Sequence, residues 1–251
     1  MRISLEFISK TPLRLPLQYN HLLAGVWYSY LNTPYRTVLH DQGLRRVKGK
    51  PVKLFTFSRL EGPYVMDRKS KTITFHGPVR WTVASALDEL IYDFSMSLLK
   101  AKHVLLGGME VQVGAVRLET YTGTTTQSQI RLLSPVTVYR TVKQPDGRKF
   151  THYYRPGTPE FTSLLRKNLI LKATALGMDI TDDDAQFEMI PVDENSLKER
   201  IILYQDTPVH GWDGDFRLRG TRKMLELAWN AGVGMKNSGG FGMIDIFSRG
   251  R

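Results

Sequence analysis

A glycine-rich segment near the carboxyl end of the chain combines residue types that suit contact with phosphate groups. It reads Gly232-Val233-Gly234-Met235-Lys236-Asn237-Ser238-Gly239-Gly240-Phe241-Gly242, so that five of its eleven residues are glycine. Glycines let backbone N–H groups approach a phosphate chain closely, Lys236 supplies positive charge, and Asn237 and Ser238 supply hydrogen bonds. A tight helix-to-strand connection with a glycine at the helix end has the same composition. The residues alone leave both interpretations open.

The segments on either side of this loop limit which ligand it could hold. A helix is predicted before it, beginning after Thr221 and ending at Gly232, and a strand over 243–247 follows it. Nucleotide-binding loops of the Walker and dinucleotide types run instead from strand to helix, so that phosphates meet a helix N-terminus. The loop also lacks the G-x-x-x-x-G-K-[ST] pattern. The order of elements therefore argues against an ATP or NAD site.

Positive charge is concentrated in one part of the sequence. The 251 residues carry a formal net charge of +11, from 35 Lys and Arg against 24 Asp and Glu. Residues 1–150 hold 22 basic and 10 acidic side chains, whereas residues 151–251 hold 13 and 14. A one-sided surplus creates a field with a direction, as expected for a protein that binds a polyanion. Nucleic acid is the leading candidate, and an ordinary basic protein with solvated lysines is the alternative.

Cysteine is absent from the sequence, which excludes a disulfide framework, a thiolate metal site and a cysteine nucleophile. We therefore expect a soluble, cytoplasmic protein. Residues 1–8 alternate in polarity and carry Glu6, which favours a strand over a signal peptide. No run approaches the roughly 20 apolar residues of a membrane span. The acidic clusters 182–184 and 213–215 lack metal-ligand spacing, so we interpret them as solvated turns and expect no metal.

The first half of the chain shows alternating strand and helix patterns. Asn20 is predicted to cap a helix over 21–31, whose apolar stripe leaves Tyr28 facing away from the core. An irregular basic loop is predicted over 33–52, and a second helix over 86–101. The predicted strands are 1–8, 52–57, 71–76, 79–83 and 109–119. This β-α-β-β-α-β order is that of a ferredoxin-like domain.

The second half repeats this order behind a polar stretch, 120–129, that we interpret as a linker. Its predicted elements are a strand at 134–139, a hairpin turn at Pro145-Asp146-Gly147, a helix from Thr158-Pro159-Glu160 to Gly177, strands at 186–192 and 198–205, and the last helix and strand named above. The predicted fold class is α+β, with two tandem ferredoxin-like (RRM-like, βαββαβ) domains. The first domain is placed at 1–122 and the second at 130–251.

The glycine-rich loop, read through Met243, also resembles the carboxyl-terminal signature of a known family, in which hydrophobic residues lie between glycines. That family is the CRISPR-associated repeat-processing endoribonucleases of the RAMP superfamily, which cleave precursor CRISPR RNA within each repeat. Three further segments are similar to it: Tyr19-Asn20-His21, Lys53-Leu54-Phe55-Thr56-Phe57 and Leu133-Ser134-Pro135-Val136. The resemblance covers the chain from end to end, and it implies the same two ferredoxin-like domains.

The resemblance implies a metal-independent reaction without a cofactor, in which the ribose 2′-hydroxyl attacks the adjacent phosphate. The products carry a 2′,3′-cyclic phosphate and a 5′-hydroxyl. Tyr28, His40 and Lys53 match the family's tyrosine in the first helix, histidine in the following loop and lysine at the next strand. They would act as acid or donor, as general base and as transition-state stabiliser, although base and acid could be exchanged. Lys50 is the alternative lysine, and His21 is the reserve histidine.

RNA contacts beyond these residues are predicted to use basic and polar side chains from both halves: Arg45, Arg46, Lys48, Lys50, Arg68, Lys69, Lys236, Asn237 and Ser238. The partner implied by the resemblance is CRISPR repeat RNA. Subunits of a CRISPR effector complex, and a second copy of the chain in a homodimer, are further compatible partners. Two other functions stay open: a catalytically silent RNA-binding subunit of an effector complex, and a non-specific basic RNA-binding protein.

Overall fold

The structure is a computed structural model that describes residues 1–36, 45–124, 126–204 and 207–247. Its first half consists of β1 (Arg2–Ile8), β2 (Leu13–Pro16), α1 (Asn20–Ser29), β3 (Arg45–Val47), β4 (Lys50–Val52), β5 (Phe55–Phe57), β6 (Tyr64–Asp67), β7 (Thr72–Phe75), β8 (Val79–Ser85), α2 (Asp88–Ala101), β9 (His103–Leu106) and β10 (Met109–Glu119). The helices and strands predicted for this half are confirmed with small shifts at their ends, except for the strand predicted over 52–57.

An antiparallel sheet in the order β5-β8-β1-β10-β9 forms the centre of the first half. Its first four strands, with α1 and α2, are the ferredoxin-like arrangement that the sequence predicts. Both helices pack on this sheet through aromatic rings. The Trp27 ring in α1 lies 4.6 Å from the Phe94 ring in α2, and Trp81 of β8 meets Phe94 edge to face. These rings are completely buried, so apolar packing fixes α1 on the sheet.

The second half contains a second sheet of the same topology. Its elements are β11 (Gln127–Leu132), β12 (Tyr139–Lys143), β13 (Lys149–Tyr153), α3 (Pro159–Ala175), β14 (Glu188–Pro191), β15 (Lys198–Tyr204), β16 (Thr207–Asp213), β17 (Asp215–Arg219), α4 (Arg222–Ala231) and β18 (Ile244–Ile246). The sheet order is β14-β17-β11-β18. The side-chain oxygen of Thr158 accepts from Phe161 N at the start of α3, as its cap sequence predicts. The α+β class with two ferredoxin-like units is confirmed.

The first strand of the second sheet lies where the sequence predicts a linker. β11 begins at Gln127, inside the polar stretch 120–129, whereas the predicted opening strand, 134–139, contains only an isolated bridge from Val136 to Trp212 before β12 begins. That strand prediction was wrong. In the structure, buried Ser128 and Ile130 alternate with more exposed neighbours, but Gln127, Ser128 and Gln129 are all polar and show no alternation in the sequence. Since β11 belongs to the second sheet, we propose that the second domain begins before Gln127.

Several hairpins are attached to the two sheets. The basic segment predicted to be irregular contains the β3–β4 hairpin in its described part, and β6–β7 pairs with β2 in a three-stranded sheet. β12–β13 and β15–β16 are two-stranded ribbons of the second half. The strand predicted over 52–57 is divided, because Lys53 and Leu54 form a connection between β4 and β5.

A buried arginine joins the two halves. Arg2, at the start of β1, donates from Nη1 to the Ile244 carbonyl oxygen of β18 at 2.7 Å, and its Nε lies 2.8 Å from Glu119. Its guanidinium also lies 4.6 Å from the centre of the Trp229 ring in α4. Elements of both halves therefore share one charged, buried contact. In the ranges described, no helix has the length and apolar character needed to cross a membrane.

Candidate active site and glycine-rich loop

Two of the three candidate catalytic residues are in contact. Tyr28 lies near the end of α1, and Lys53 lies in the connection before β5. The Lys53 Nζ donates to the Tyr28 Oη at 2.9 Å and lies 5.3 Å from the centre of the tyrosine ring. The ring packs edge to face against Phe55 at 5.9 Å, so Tyr28 is half-buried and not fully turned to solvent. The structure thus joins a phenol and an ammonium group from residues 25 positions apart.

Burial changes the acidity of both groups. It raises the pKa of the Tyr28 phenol well above its usual range, and nearby Tyr204 adds to this effect. The same cause lowers the pKa of the Lys53 ammonium. Tyr28 therefore keeps its proton at neutral pH, which suits a donor better than a base. A neighbouring ammonium would also stabilise a phenolate formed when that proton is given away.

His40 lies outside the described residues. The described chain stops at Arg36 and resumes at Arg45, so the position of the imidazole relative to Tyr28 remains a prediction. His21, the reserve histidine, lies at the exposed start of α1, where its Nδ1 is 2.8 Å from the Gln18 carbonyl oxygen. This contact is local and ties the ring to the start of the helix.

The glycine-rich loop is fixed to the elements that carry the candidate pair. The Asn20 side chain in α1 donates from Nδ2 to the carbonyl oxygens of Gly239 and Gly240, at 2.9 and 3.2 Å. The Thr56 hydroxyl in β5 donates to the Phe241 carbonyl oxygen at 3.0 Å. The prediction that Asn20 caps α1 was wrong, because its buried amide bonds the loop and Tyr19 occupies the cap position without a side-chain bond.

Glycine is required in this loop because the backbone has close neighbours. Gly240 and Gly242 have φ angles of +79° and +71°, which disfavour residues with a Cβ. A Cβ on Gly242 would overlap the Val233 carbonyl oxygen, and a Cβ on Gly240 would overlap the Phe57 ring. The loop therefore packs on itself and on β5. Of the two interpretations open from sequence, the tight connection accounts for these glycines.

The polar residues of the loop divide into buried and accessible ones. The Asn237 amide is buried and donates to the carbonyl oxygens of Val233 and Phe241 at 3.0 and 2.9 Å, so we withdraw Asn237 from the predicted RNA contacts. Lys236 and Ser238 are half-buried. The Lys236 Nζ lies 5.6 Å from the centre of the Tyr139 ring, and burial lowers its pKa. Both side chains are partly exposed, and Lys236 reaches the surface beside β12.

A tyrosine that sequence reasoning missed lies beside the candidate site. The ring of Tyr204, at the end of β15, lies against Gly239, close enough that a Cβ there would approach it at 3.2 Å. Burial raises the pKa of Tyr204, and the nearby Tyr204 side chain also raises the pKa of Tyr28. Leu203 N donates to Gln18 Oε1, which ties β15 to the segment before α1. No local pattern marks Tyr204, because its neighbours come from distant parts of the chain.

The remaining predicted RNA-binding residues lie on two hairpins. Arg45, Arg46 and Lys48 are exposed on β3 and its turn, and this hairpin lies against α3 of the second half. The Lys50 side chain is outside the described part, so the choice between it and Lys53 rests on the observed contact of Lys53 alone. A second pair, Arg68 and Lys69, is exposed at the turn between β6 and β7. No hydrogen bond or ion pair among the described residues links that turn to Tyr28.

The acidic clusters are engaged in structural contacts. Asp184 is buried and accepts from Thr181, from Thr221 and from the Lys223 ammonium, and these bonds outweigh burial and lower its pKa. It is thus not part of a solvated turn. The Asp213 carboxylate accepts hydrogen bonds from both Nη atoms of Arg59, at 3.0 and 3.2 Å. Across the part of the chain that is described, no cluster of three or more His, Asp or Glu side chains could hold a metal ion.

Comparison with known proteins identifies the family. A family model described as CRISPR associated protein Cas6, C-terminal, matches residues 118–246. The CRISPR-associated endoribonuclease Cas6 1 of Methanocaldococcus jannaschii is 25% identical over 247 residues, covering 97% of this chain and 92% of its own.

Solved structures share the whole architecture. A Cas6-related protein of Pyrococcus furiosus superposes with a TM-score of 0.84 at 20% identity, covering 100% of this chain and 99% of its own. A protein described as a RAMP protein binding different RNA substrates has a TM-score of 0.81 at 20% identity, covering 99% of this chain and 100% of its own. These likenesses confirm the tandem ferredoxin-like fold. The chain belongs to the CRISPR-associated Cas6 family.

Proposed function

We propose that this chain is a metal-independent endoribonuclease that binds CRISPR repeat RNA and cuts precursor CRISPR RNA within each repeat. The observation that carries the proposal is the hydrogen bond between Lys53 and Tyr28. These residues match the family's lysine and tyrosine, and they meet at a half-buried position beside the signature loop. The relative from M. jannaschii, named an endoribonuclease, aligns with nearly the entire chain, which supports an enzyme over a binding protein.

In the proposed reaction, His40 takes the proton of the ribose 2′-hydroxyl while the 2′-oxygen forms a bond to phosphorus. The bond from phosphorus to the 5′-oxygen breaks, and Tyr28 gives its proton to that oxygen. The Lys53 ammonium stabilises the negative charge on the phosphorane and then on the phenolate, until the latter regains a proton from solvent. The products carry a 2′,3′-cyclic phosphate and a 5′-hydroxyl.

The acidity of Tyr28 favours this division of roles over the reverse. A phenol whose pKa is raised by burial is almost entirely protonated at neutral pH. Nearly every protein molecule therefore has a Tyr28 proton to donate, whereas the phenolate, which could act as a base, would be rare. Histidine titrates near neutrality and can accept a proton under the same conditions. We therefore assign the acid to Tyr28 and the base to His40.

The proposed RNA path runs over the basic hairpin and the accessible part of the loop. Arg45, Arg46, Lys48 and Lys50 would contact the phosphate backbone on one side, and Lys236 and Ser238 would contact it on the other. Arg68 and Lys69, on the turn of another hairpin, would contact a more distant part of the RNA. Charge neutralisation of this kind makes binding depend on salt. Subunits of an effector complex and a second copy of the chain stay proposed further partners.

The experiment is cleavage of labelled repeat RNA in the presence of EDTA. We expect one cut per repeat, and a single 2′-deoxy substitution at the cleaved nucleotide should block it, because the attacking hydroxyl is then missing. A His40→Ala protein should cut far more slowly. Unimpaired cutting by His40→Ala would remove His40 from the mechanism.

Two outcomes would support other functions. Tight, repeat-specific binding without any cutting by the wild-type protein would identify a catalytically silent subunit. Equal affinity for the repeat and for unrelated RNA of the same length at physiological salt would identify a non-specific basic binder.

A further inference from the structure

Helix α3 carries a lysine whose side chain ends inside the protein, against the glycine-rich loop. Lys172 is 3% exposed, and its Nζ donates to the Gly232 carbonyl oxygen at 2.7 Å and to Asn237 Oδ1 at 2.6 Å. The carbonyl oxygens of Ala231 and Gly234 both lie at 3.3 Å. Within the described ranges, no carboxylate forms an ion pair with this ammonium group. Three oxygens of the loop and the last carbonyl oxygen of α4 therefore hold it.

Burying an ammonium group costs free energy unless its new hydrogen bonds offset the loss of water. Burial disfavours the charged amine and lowers the pKa of Lys172 to about 7. A lysine that only filled space could be replaced by methionine, which has similar length and no charge. The acceptors explain the choice, because Ala231 and Gly232 lie at the end of α4, where carbonyl oxygens lack helical partners and the dipole is negative. Lys172 donates hydrogen bonds to these buried carbonyl oxygens, which would otherwise lack this partner.

The contacts continue from Lys172 to the candidate active site. Asn237, held through its Oδ1, donates from Nδ2 to the Phe241 carbonyl oxygen, which also accepts from Thr56. Thr56 lies in β5, three residues after Lys53. Lys236 directly precedes Asn237 and has a φ angle of +55°, a backbone conformation that few non-glycine residues adopt without support. The buried ammonium group thus acts together with Asn20 and Thr56 to hold the loop from which Lys236 projects.

We propose that Lys172 is a positioning residue for RNA binding: its ammonium group holds the glycine-rich loop so that Lys236 and Ser238 face the RNA beside the Tyr28–Lys53 pair. The proposal rests on the function proposed above. Lys172 itself is buried and touches no RNA, so it acts through the loop. Its removal should therefore weaken RNA binding in the folded protein.

The test compares Lys172→Met with Lys167→Met, which removes an exposed lysine from the same helix. Affinity is measured with 2′-deoxy repeat RNA that cannot be cut, and the single-turnover rate is measured with cleavable RNA at saturating protein. Both assays are run well below the unfolding temperature of each variant. Lys172→Met should weaken binding by about tenfold, with a saturating rate within about threefold of wild type, and Lys167→Met should change neither much.

A double-substitution cycle adds a measurement that a purely stabilising role would not affect. Lys236→Ala should weaken binding in the wild-type background but have little further effect in Lys172→Met, since the loop is then already misplaced. Independent, additive losses would overturn the proposal. So would wild-type affinity in folded Lys172→Met. If the wild-type protein does not bind repeat RNA, the proposed function is wrong. This result is distinct from one that overturns only the proposal for Lys172.

A second variant covers the case in which Lys172→Met does not fold. In Lys172→Gln the side-chain amide, one atom shorter, still donates two hydrogen bonds without charge. Weakened binding by folded Lys172→Gln, with the saturating rate kept, would support the proposal, and unchanged binding would overturn it. Failure of both variants to fold would assign Lys172 to stability alone and would overturn it as well.

Discussion

The Tyr28–Lys53 pair and the glycine-rich loop are attached to the same two elements, α1 and β5, but they are built in opposite ways. The pair consists of two half-buried side chains with one mutual hydrogen bond. The loop is almost entirely buried, and its polar backbone atoms bond to one another, to Asn20 and to Thr56. In the pair the side chains carry the proposed chemistry, whereas in the loop the backbone makes most of the structural contacts.

This difference changes how the composition of the glycine-rich loop is interpreted. Five glycines beside a lysine suggest a phosphate cradle when read as sequence, but the positive φ angles and the close neighbours of Gly240 and Gly242 account for glycine through packing. Only the edge of the loop reaches the surface, and Lys236 and Ser238 are its partly exposed polar residues. The most conspicuous motif of the chain therefore positions the site, whereas two inconspicuous residues provide the proposed chemistry. Substitutions in the two regions should have separable effects on rate and on stability.

Replacing Lys53 should give the largest effect on rate. Lys53→Met removes the ammonium group but keeps most of the side-chain volume, and we expect the saturating single-turnover rate to fall by about 10²–10³-fold. Affinity for uncleavable RNA should fall by less than about tenfold, because one phosphate contact is lost at most. Lys100→Met, at the exposed end of α2, is the matched control. A rate within threefold of wild type would remove Lys53 from the mechanism.

Replacing Gly242 should give the largest effect on stability. Gly242→Ala introduces a Cβ at a positive φ angle and against the Val233 carbonyl oxygen, so it should lower the free energy of unfolding by about 3 kcal/mol. The control is Gly25→Ala in α1, where a Cβ meets nothing within 4 Å and should stabilise by about 1 kcal/mol. Urea unfolding measures both. Equal stability of the two variants would contradict the packing account of the loop.

Tyr28→Phe should separate the phenol from its ring. The ring still packs against Phe55, so the unfolding temperature should stay within a few degrees of wild type, while the rate falls by about 10²-fold through loss of the proton donor. Tyr30→Phe, at the residue that directly follows α1, is the matched control. A rate unchanged by Tyr28→Phe would show that another group protonates the leaving oxygen.

The pH dependence should report on Lys53. Because burial lowers its pKa, the ammonium group loses its proton at a lower pH than an ordinary lysine, whose pKa is about 10.4. The saturating cleavage rate, corrected for alkaline hydrolysis of free RNA, should therefore fall as the pH rises, with a midpoint below that value. In Lys53→Arg this fall should move to higher pH, because guanidinium does not titrate in this range. An unmoved midpoint would assign the titration to another group.

Lys236→Ala should give the smallest effect. We expect binding weaker by several-fold, a slope of log affinity against log salt reduced by about 1, and an unchanged saturating rate. The exposed Lys167 provides the control substitution. A large loss of rate with unchanged affinity would place Lys236 in the catalytic group and would erase the contrast between the two regions.

The sequence predicted the elements whose determinants are local. The stripe of Leu90, Ile91, Phe94 and Leu98 defines α2, and Thr158-Pro159 defines the start of α3, because spacing and caps act within a few residues. β11 was missed, since Gln127, Ser128 and Gln129 are polar and resemble a linker until the neighbouring strands bury alternate residues.

Residues of the candidate site were proposed from the sequence only where the family pattern reached. Tyr28 and Lys53 came from that pattern, and their contact could not be derived from spacing. The roles of Asn20, Lys172 and Tyr204 could not be predicted, because each depends on a partner that folding brings from a distant segment. Asn20 meets Gly239 from 219 positions away. Such contacts depend on how the two halves pack, and no pattern within one element specifies that packing.

The most direct test of the central claim is the chemistry of the product ends formed from repeat RNA in EDTA. If the Tyr28–Lys53 pair serves a 2′-hydroxyl attack, the wild-type protein will cut once per repeat without metal. The upstream fragment will end in a 2′,3′-cyclic phosphate, and the downstream fragment will begin with a 5′-hydroxyl. Cleavage that requires added Mg²⁺ and leaves a 3′-hydroxyl and a 5′-phosphate would contradict the account.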